Sequence, residues 1–92
     1  MDFIPLSRLQ QHILRWLYVE QLRTPSPTGP AYADLVAHLP YPPTSIARSL
    51  RRLARRGLVH LTRSNTGRMQ AVHLTAAGHL RVTLLGTDGP VR

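Results

Sequence analysis

The side chains in this sequence best equipped for chemistry are its arginines. Twelve of the 92 residues are Arg and none is Lys, against four acids, Asp2, Glu20, Asp34 and Asp88, for a formal net charge of +8. Between Asp34 and Asp88 there is no acid at all, yet Arg48, Arg51, Arg52, Arg55, Arg56, Arg63, Arg68 and Arg81 fall there. A guanidinium is planar, permanently charged and offers N–H donors in a fork that matches phosphate oxygens or a guanine edge two at a time. Charge of this sign attracts polyanions. A merely soluble surface interleaves carboxylates with its bases, and this run does not. The missing lysine fits a genome rich in arginine codons, so the functional signal lies in where the arginines sit.

Other chemistries lack material. Without cysteine there is no disulfide, thiolate–metal site or cysteine nucleophile. His12, His38, His60, His73 and His79 show no HxxxH or His/carboxylate spacing within a helix, so no metal is expected. His60 and His73 are placed to face each other across a hairpin, a pH-sensitive pair at most. Phosphate-binding glycine loops, nucleophile elbows and paired carboxylates are absent. The expectation is no enzyme and no cofactor. No apolar run reaches the roughly 18 residues of a membrane span and no secretory signal opens the chain. A cytoplasmic, nucleoid-associated protein with no membrane partner is expected.

Four helical segments and one hairpin must position the arginines. Residues 5–23 read as a helix, with Leu6, Leu9, Ile13, Trp16, Leu17 and Leu22 near one face and Pro5 in its first turn. The Pro- and Gly-rich stretch 25–30 ends it, and one or two extended residues are expected near Tyr32, with a short helix over 31–39 that turns Leu35, Val36 and Leu39 inward. Pro40-Tyr41-Pro42-Pro43 forces a turn. A third helix follows over 44–56, capped near Thr44, with Ile46, Leu50 and Leu53 at i, i+4 and i+7 and Gly57 as a left-handed stop. The period then becomes alternating: strands over 58–63 and 69–74 around an Asn65-x-Gly67 loop form a wing spanning 58–74. Thr75 caps a fourth helix over 76–85, with Ala77, Leu80, Leu84 and Leu85 apolar, Gly86 past its end and a frayed tail from Thr87 to Arg92. The fold class is mainly α with a small β-hairpin, in the order helix-helix-turn-helix-wing-helix of a winged helix-turn-helix. Residues 1–92 read as one domain.

Wound at about 100° per residue from Ile46, Leu50 and Leu53 stay within about 40° of it, while Thr44, Arg48, Arg51 and Arg55 lie about 140° to 200° away. Ser45 and Arg52 flank them. Such a cationic face, with no acid at i+4, repels itself unless an anion lies opposite. If the helix docks as the second helix of a helix-turn-helix, its N-terminal residues read base edges: Thr44, Ser45, Arg48, Ser49 and Arg52. Arg51, Arg55 and Arg56 then meet phosphates. Arg63 and Arg68 bracket the hairpin tip, where a side chain enters a minor groove or clamps its backbone; exposed strand polarity explains them equally well.

The run Ser45 to Val59, the basic hairpin after it and Leu74-Thr75-Ala76-Ala77-Gly78 together resemble winged helix-turn-helix transcriptional regulators of the MarR and PadR type. In them, Leu-x-x-x-Gly-Leu-Val, here Leu53 to Val59, closes the recognition helix. Leu-Thr-x-x-Gly, here Leu74 to Gly78, opens the next one. The resemblance spans roughly residues 32–80. It implies a sequence-specific double-stranded DNA-binding regulator, a repressor, with the third helix in the major groove and the wing on the backbone or minor groove. MarR-type proteins are longer and dimerise through extended terminal helices, so a ligand pocket is not expected here. Trp16, Tyr18, Val19, Leu22 and the Leu84-Leu85 end still offer apolar surface for a homodimer, which would set two recognition helices about 34 Å apart on a palindromic site. The alternatives are a winged-helix protein-interaction adaptor and a non-specific nucleic-acid or nucleoid binder.

Overall fold

Ser7 opens the first helix. Its hydroxyl accepts the Gln10 amide at 3.1 Å while the Gln10 side chain accepts the Ser7 amide at 2.9 Å, a reciprocal capping box that satisfies two orphan donors. Helix α1 therefore runs Arg8–Arg23, and Pro5, expected inside its first turn, lies outside it because Ser7 supplies the cap. A computed structural model describes residues 5–87, with side chains through Leu84. After α1 come α2 (Tyr32–His38), α3 (Pro43–Arg55), strands β1 (Val59–Arg63) and β2 (Met69–Leu74), and α4 (Ala76–Thr87). This is the winged-helix order expected from the sequence.

Other boundaries differ from the sequence reading by one or two residues, β1 beginning at Val59 rather than Leu58 and α2 ending at His38 rather than Leu39. Pro42 holds the extended conformation of an N-cap and Pro43 takes the first helical position, where a missing amide costs nothing; Thr44 thus lies within α3, not at its cap. Ala31, not Tyr32, is the extended residue, making an isolated bridge to Ala71 of β2. The fourth helix passes through Gly86, expected beyond its end, to Thr87. The expected fraying of the tail concerns, from Asp88 onward, positions outside the described residues, as does Asp2 at the other end.

The core lies where α1, α2, α3 and the hairpin meet. Ile13, Leu14, Leu17, Leu35, Ile46, Leu50, Leu53 and Val72 are fully buried, and Leu58, Val59, Leu74 and Val82 close around them. Each such side chain contributes about 1.5–3 kcal/mol on leaving water. Val36 and Leu39, expected inward, are half-buried at the rim. Leu22 and Leu80, also counted with the inner faces, are 64% and 62% exposed; on α4 it is Val82 that enters the core. Trp16 and Tyr18 pack against the core and stack on His38 and His79, whereas Val19 and Leu84 are exposed.

Antiparallel β1 and β2 pair Val59 with Leu74 and His60 with His73, as the alternation predicts, until the register slips between Thr62 and Arg63. Arg63 then stands opposite Met69 rather than Gln70. The root of the hairpin is tied at Thr75. Its hydroxyl donates to the Gly57 carbonyl at 2.6 Å and accepts the Gly78 amide at 3.0 Å, and its own amide donates to the Leu58 carbonyl at 3.1 Å. Gly57 takes the expected left-handed conformation, φ 75°. At Gly78 the constraint is space: a β-carbon there would collide with the Leu58 carbonyl and the Leu74 side chain, so the Leu-Thr-x-x-Gly spacing lets α4 lie against the root of the hairpin.

Candidate nucleic-acid interface

The buried stripe of Ile46, Leu50 and Leu53 fixes the roll of α3 about its axis, and everything opposite it faces solvent. Thr44, Arg48, Arg51, Arg52 and Arg55 are exposed, as is Arg56 at the C-cap; Ser45 and Ser49 are half-buried on the flanks. The described acids are Glu20 and Asp34. Glu20 pairs with Arg23 on its own helix at 3.3 Å, and Asp34 sits in the first turn of α2. Among the described residues no carboxylate pairs with an arginine of α3 or of the hairpin. Arg52 and Arg55 complement the negative end of the helix dipole in its last turn. Arg48 and Arg51 have no such local compensation.

Two of the arginines are held by backbone carbonyls. Arg56 reaches the carbonyl of Pro5 at 3.5 Å, which draws it toward the N-terminal segment. Arg63 donates to the Gly67 carbonyl at 3.2 Å across the hairpin tip. That tip is closed by Ser64 and Arg68: the Ser64 amide donates to the Arg68 carbonyl at 2.8 Å, and the Arg68 amide donates to the Ser64 hydroxyl at 3.3 Å. Gly67, with φ 85°, lets the chain reverse there.

Between α3 and the hairpin lies an open cleft of about 480 Å³ walled by Tyr32, Ala47, Arg51, Arg63, Gly67, Arg68 and Met69. The structure thus brings Arg51, expected beside Arg55 and Arg56, together with Arg63 and Arg68 of the wing. Thr44, Ser45, Arg48, Ser49, Arg52, Arg55 and Arg56 lie outside this cleft, along the rest of α3. Tyr32 was not anticipated there. Its hydroxyl donates to the Pro43 carbonyl at 3.5 Å, linking the start of α2 to the start of α3. No local signal marks it, because the pairing of Ala31 with Ala71 is what carries Tyr32 to the hairpin.

Among the described residues no group of three or more His, Asp or Glu side chains is placed to hold a metal ion. Nor is any described helix long and apolar enough to cross a membrane.

The sequence model of the winged helix DNA-binding domain matches residues 6–78. Among solved structures, the fold is shared with Staphylococcus aureus MepR, a transcription regulator of the multidrug efflux pump MepA, at a TM-score of 0.71 and 23% identity over 89% of this chain and 56% of that one. The MepR–DNA complex gives a TM-score of 0.71 at 22% identity, over 89% of this chain and 57% of that one. A variant of Lactococcus lactis ZitR gives 0.68 at 19%, over 95% and 55%. The expected likeness to MarR-type winged helices is met at the level of fold. The chain spans a little over half the length of these regulators. No curated protein matches the sequence.

Proposed function

This chain belongs to the winged helix DNA-binding domain family, and on that premise we propose that it is a transcription regulator, a repressor, that binds double-stranded DNA sequence-specifically as a single domain. The family is one of DNA-binding proteins, not enzymes. The observation that carries the reading is the outer face of α3: five exposed arginines from Arg48 to Arg56, opposite a fully buried stripe, with no carboxylate partner among the described residues. A duplex supplies the missing negative charge at one phosphate per about 1.7 Å of axis.

In this reading α3 enters the major groove. Thr44, Ser45, Arg48, Ser49 and Arg52 face base edges, with Arg48 reaching a guanine in bidentate fashion. Arg51, Arg55 and Arg56 hold phosphates, and Arg63 and Arg68 carry the wing onto the adjacent backbone or minor groove. Repression follows from occupancy alone and needs no second catalytic or sensing surface. A cytoplasmic, nucleoid-associated location fits a duplex ligand.

A homodimer completes the proposal. Val19, Leu22 and Leu84 are 50%, 64% and 40% exposed, apolar surface that the domain leaves uncovered. Two copies related by a two-fold axis would read a palindrome with half-sites about 34 Å apart. Sedimentation of the free protein checks the dimer; a monomer at micromolar concentration removes it.

Selection of bound sites from a random duplex pool, followed by titration at several salt concentrations, tests the whole. The expected result is a palindromic motif whose log affinity falls with log salt by about 0.9 per phosphate neutralised. Binding without sequence preference would make the protein a nucleoid coat. Absent duplex binding, with a protein partner that survives nuclease, would make it an adaptor.

A further inference from the structure

Arg51 comes from a helix, and Arg63 and Arg68 come from a hairpin, yet the three wall one cleft. We propose that this cleft is a binding site for a single phosphodiester of the duplex backbone, on which Arg51, Arg63 and Arg68 act as one unit. The inference rests on the DNA-binding reading and adds a ligand group and an address to it.

Three features of the molecule converge on the cleft. One is the register slip between Thr62 and Arg63. An unbroken ladder would set Arg63 against Gln70; the slip sets it against Met69, and both Arg63 and Met69 line the side facing α3. Thr62 and Gln70 border a separate groove with Thr28, Gly29 and Ala31. The extra residue is Gln70 of β2, so the bulge turns Gln70 out of the cleft wall and sets Met69 in it beside Arg63.

Another feature is fixation. One Arg63 nitrogen is spent on the Gly67 carbonyl at 3.2 Å, which holds the guanidinium at the cleft wall and leaves its other donors unassigned. Positioning of this kind lowers the entropy lost on binding. The last is charge and size. Neither Glu20 nor Asp34 lines the cleft, so three arginines line a shared volume of about 480 Å³ with nothing of opposite sign in its wall. A water occupies roughly 30 Å³, so a phosphate with its ester oxygens fits within the space.

Duplex geometry says which anion belongs there. A helix in the major groove and a hairpin on the neighbouring minor groove straddle the sugar–phosphate strand that separates the two grooves. The cleft is the gap between that helix and that hairpin. One backbone phosphate must pass through it, and its charged oxygens meet donors from both walls.

The test uses a duplex bound by the full chain, carrying a single uncharged methylphosphonate moved along each strand. One position per bound half-site should weaken binding roughly ten- to hundredfold, the range of charge-assisted hydrogen bonds. Arg51→Ala and Arg68→Ala alter exposed side chains and should leave the melting temperature unchanged. Each should lose affinity for the native duplex by a similar factor and become indifferent to methylphosphonate at that same position. The double variant should lose little more than either single one. Additive losses mapping to separate phosphates, in a protein that still binds duplex, overturn the shared cleft and leave the DNA-binding reading standing. Inorganic phosphate at low millimolar concentration competing equally with native and neutralised duplex also overturns it, in favour of a free-anion site. Absence of all duplex binding overturns both.

Discussion

Helices α1 and α3 divide the work of the domain, and their construction shows it. Helix α1 is locally equipped: a reciprocal capping box at its start, the Glu20–Arg23 pair in its last turn, and ring contacts from His12, Trp16 and Tyr18 to Tyr41, His38 and His79. Its Gln21 side chain also accepts the Leu74 amide at 2.7 Å, binding the hairpin to it. Helix α3 has no side-chain cap and carries a run of like charges. What holds α3 is the burial of Ile46, Leu50 and Leu53. The contrast teaches that one helix is stable partly on its own account and supports the rest. The other is held in place by the core, and its free face is left to a ligand.

That division can be broken from the inside. Leu50→Ala should cost about 2–5 kcal/mol, a large part of the stability of so small a domain; chemical denaturation measures it. A smaller loss would mean that α3 draws stability from its surface. Arg48→Ala should leave the denaturation midpoint within error and remove about 1–3 kcal/mol of discrimination between a selected site and random duplex. Equal weakening on both duplexes would move Arg48 to the phosphates. Ser7→Ala removes one cap bond of α1 and should cost about 1 kcal/mol, with no change in duplex affinity once the protein is folded. The smallest effect is the most telling. Arg52→Glu places an acid between Arg48 and Arg56 at i−4 and i+4, a gain of about 0.2–0.5 kcal/mol per pair. Losing a cation at the negative end of the helix dipole, about 0.3–1 kcal/mol, offsets that gain, so the free domain should keep its stability while duplex binding is abolished. Retained binding would sink the contrast, because it would show that the positive face of α3 has no ligand to meet.

Much of the layout was legible because it follows from period and punctuation. The i, i+4, i+7 spacing of Ile46, Leu50 and Leu53 fixed the roll of α3; Gly57 and Thr75 marked its end and the next beginning; alternation set His60 against His73. The Ser7-x-x-Gln10 box is equally a local signal, and it rather than Pro5 starts α1. Other features had no local signature. Leu14 lies beside the apolar stripe expected of α1, yet is fully buried, because α1 packs against α3, α4 and β2 at once and needs a wider inner face. Leu22 and Leu80 are as apolar as their neighbours, but a helical period says which face is greasy without saying how far the core extends along it. The cleft joining Arg51, Arg63 and Arg68 forms only where two strands and a helix come together, and the one-residue slip that sets Met69 opposite Arg63 has no local signal either.

Thr75 ends the hairpin and starts α4, and its hydroxyl makes one bond to each side. Mechanically the wing is a cantilever welded at its root, so displacement is largest at the free end, beyond the slip at Thr62. A beam of that kind keeps its bearing on α3 while its tip follows a groove that widens or narrows from one base step to the next. Loosening the weld, as Thr75→Val would, lets the entire arm swing, so the cost would fall on the angle between wing and helix before any single contact was lost.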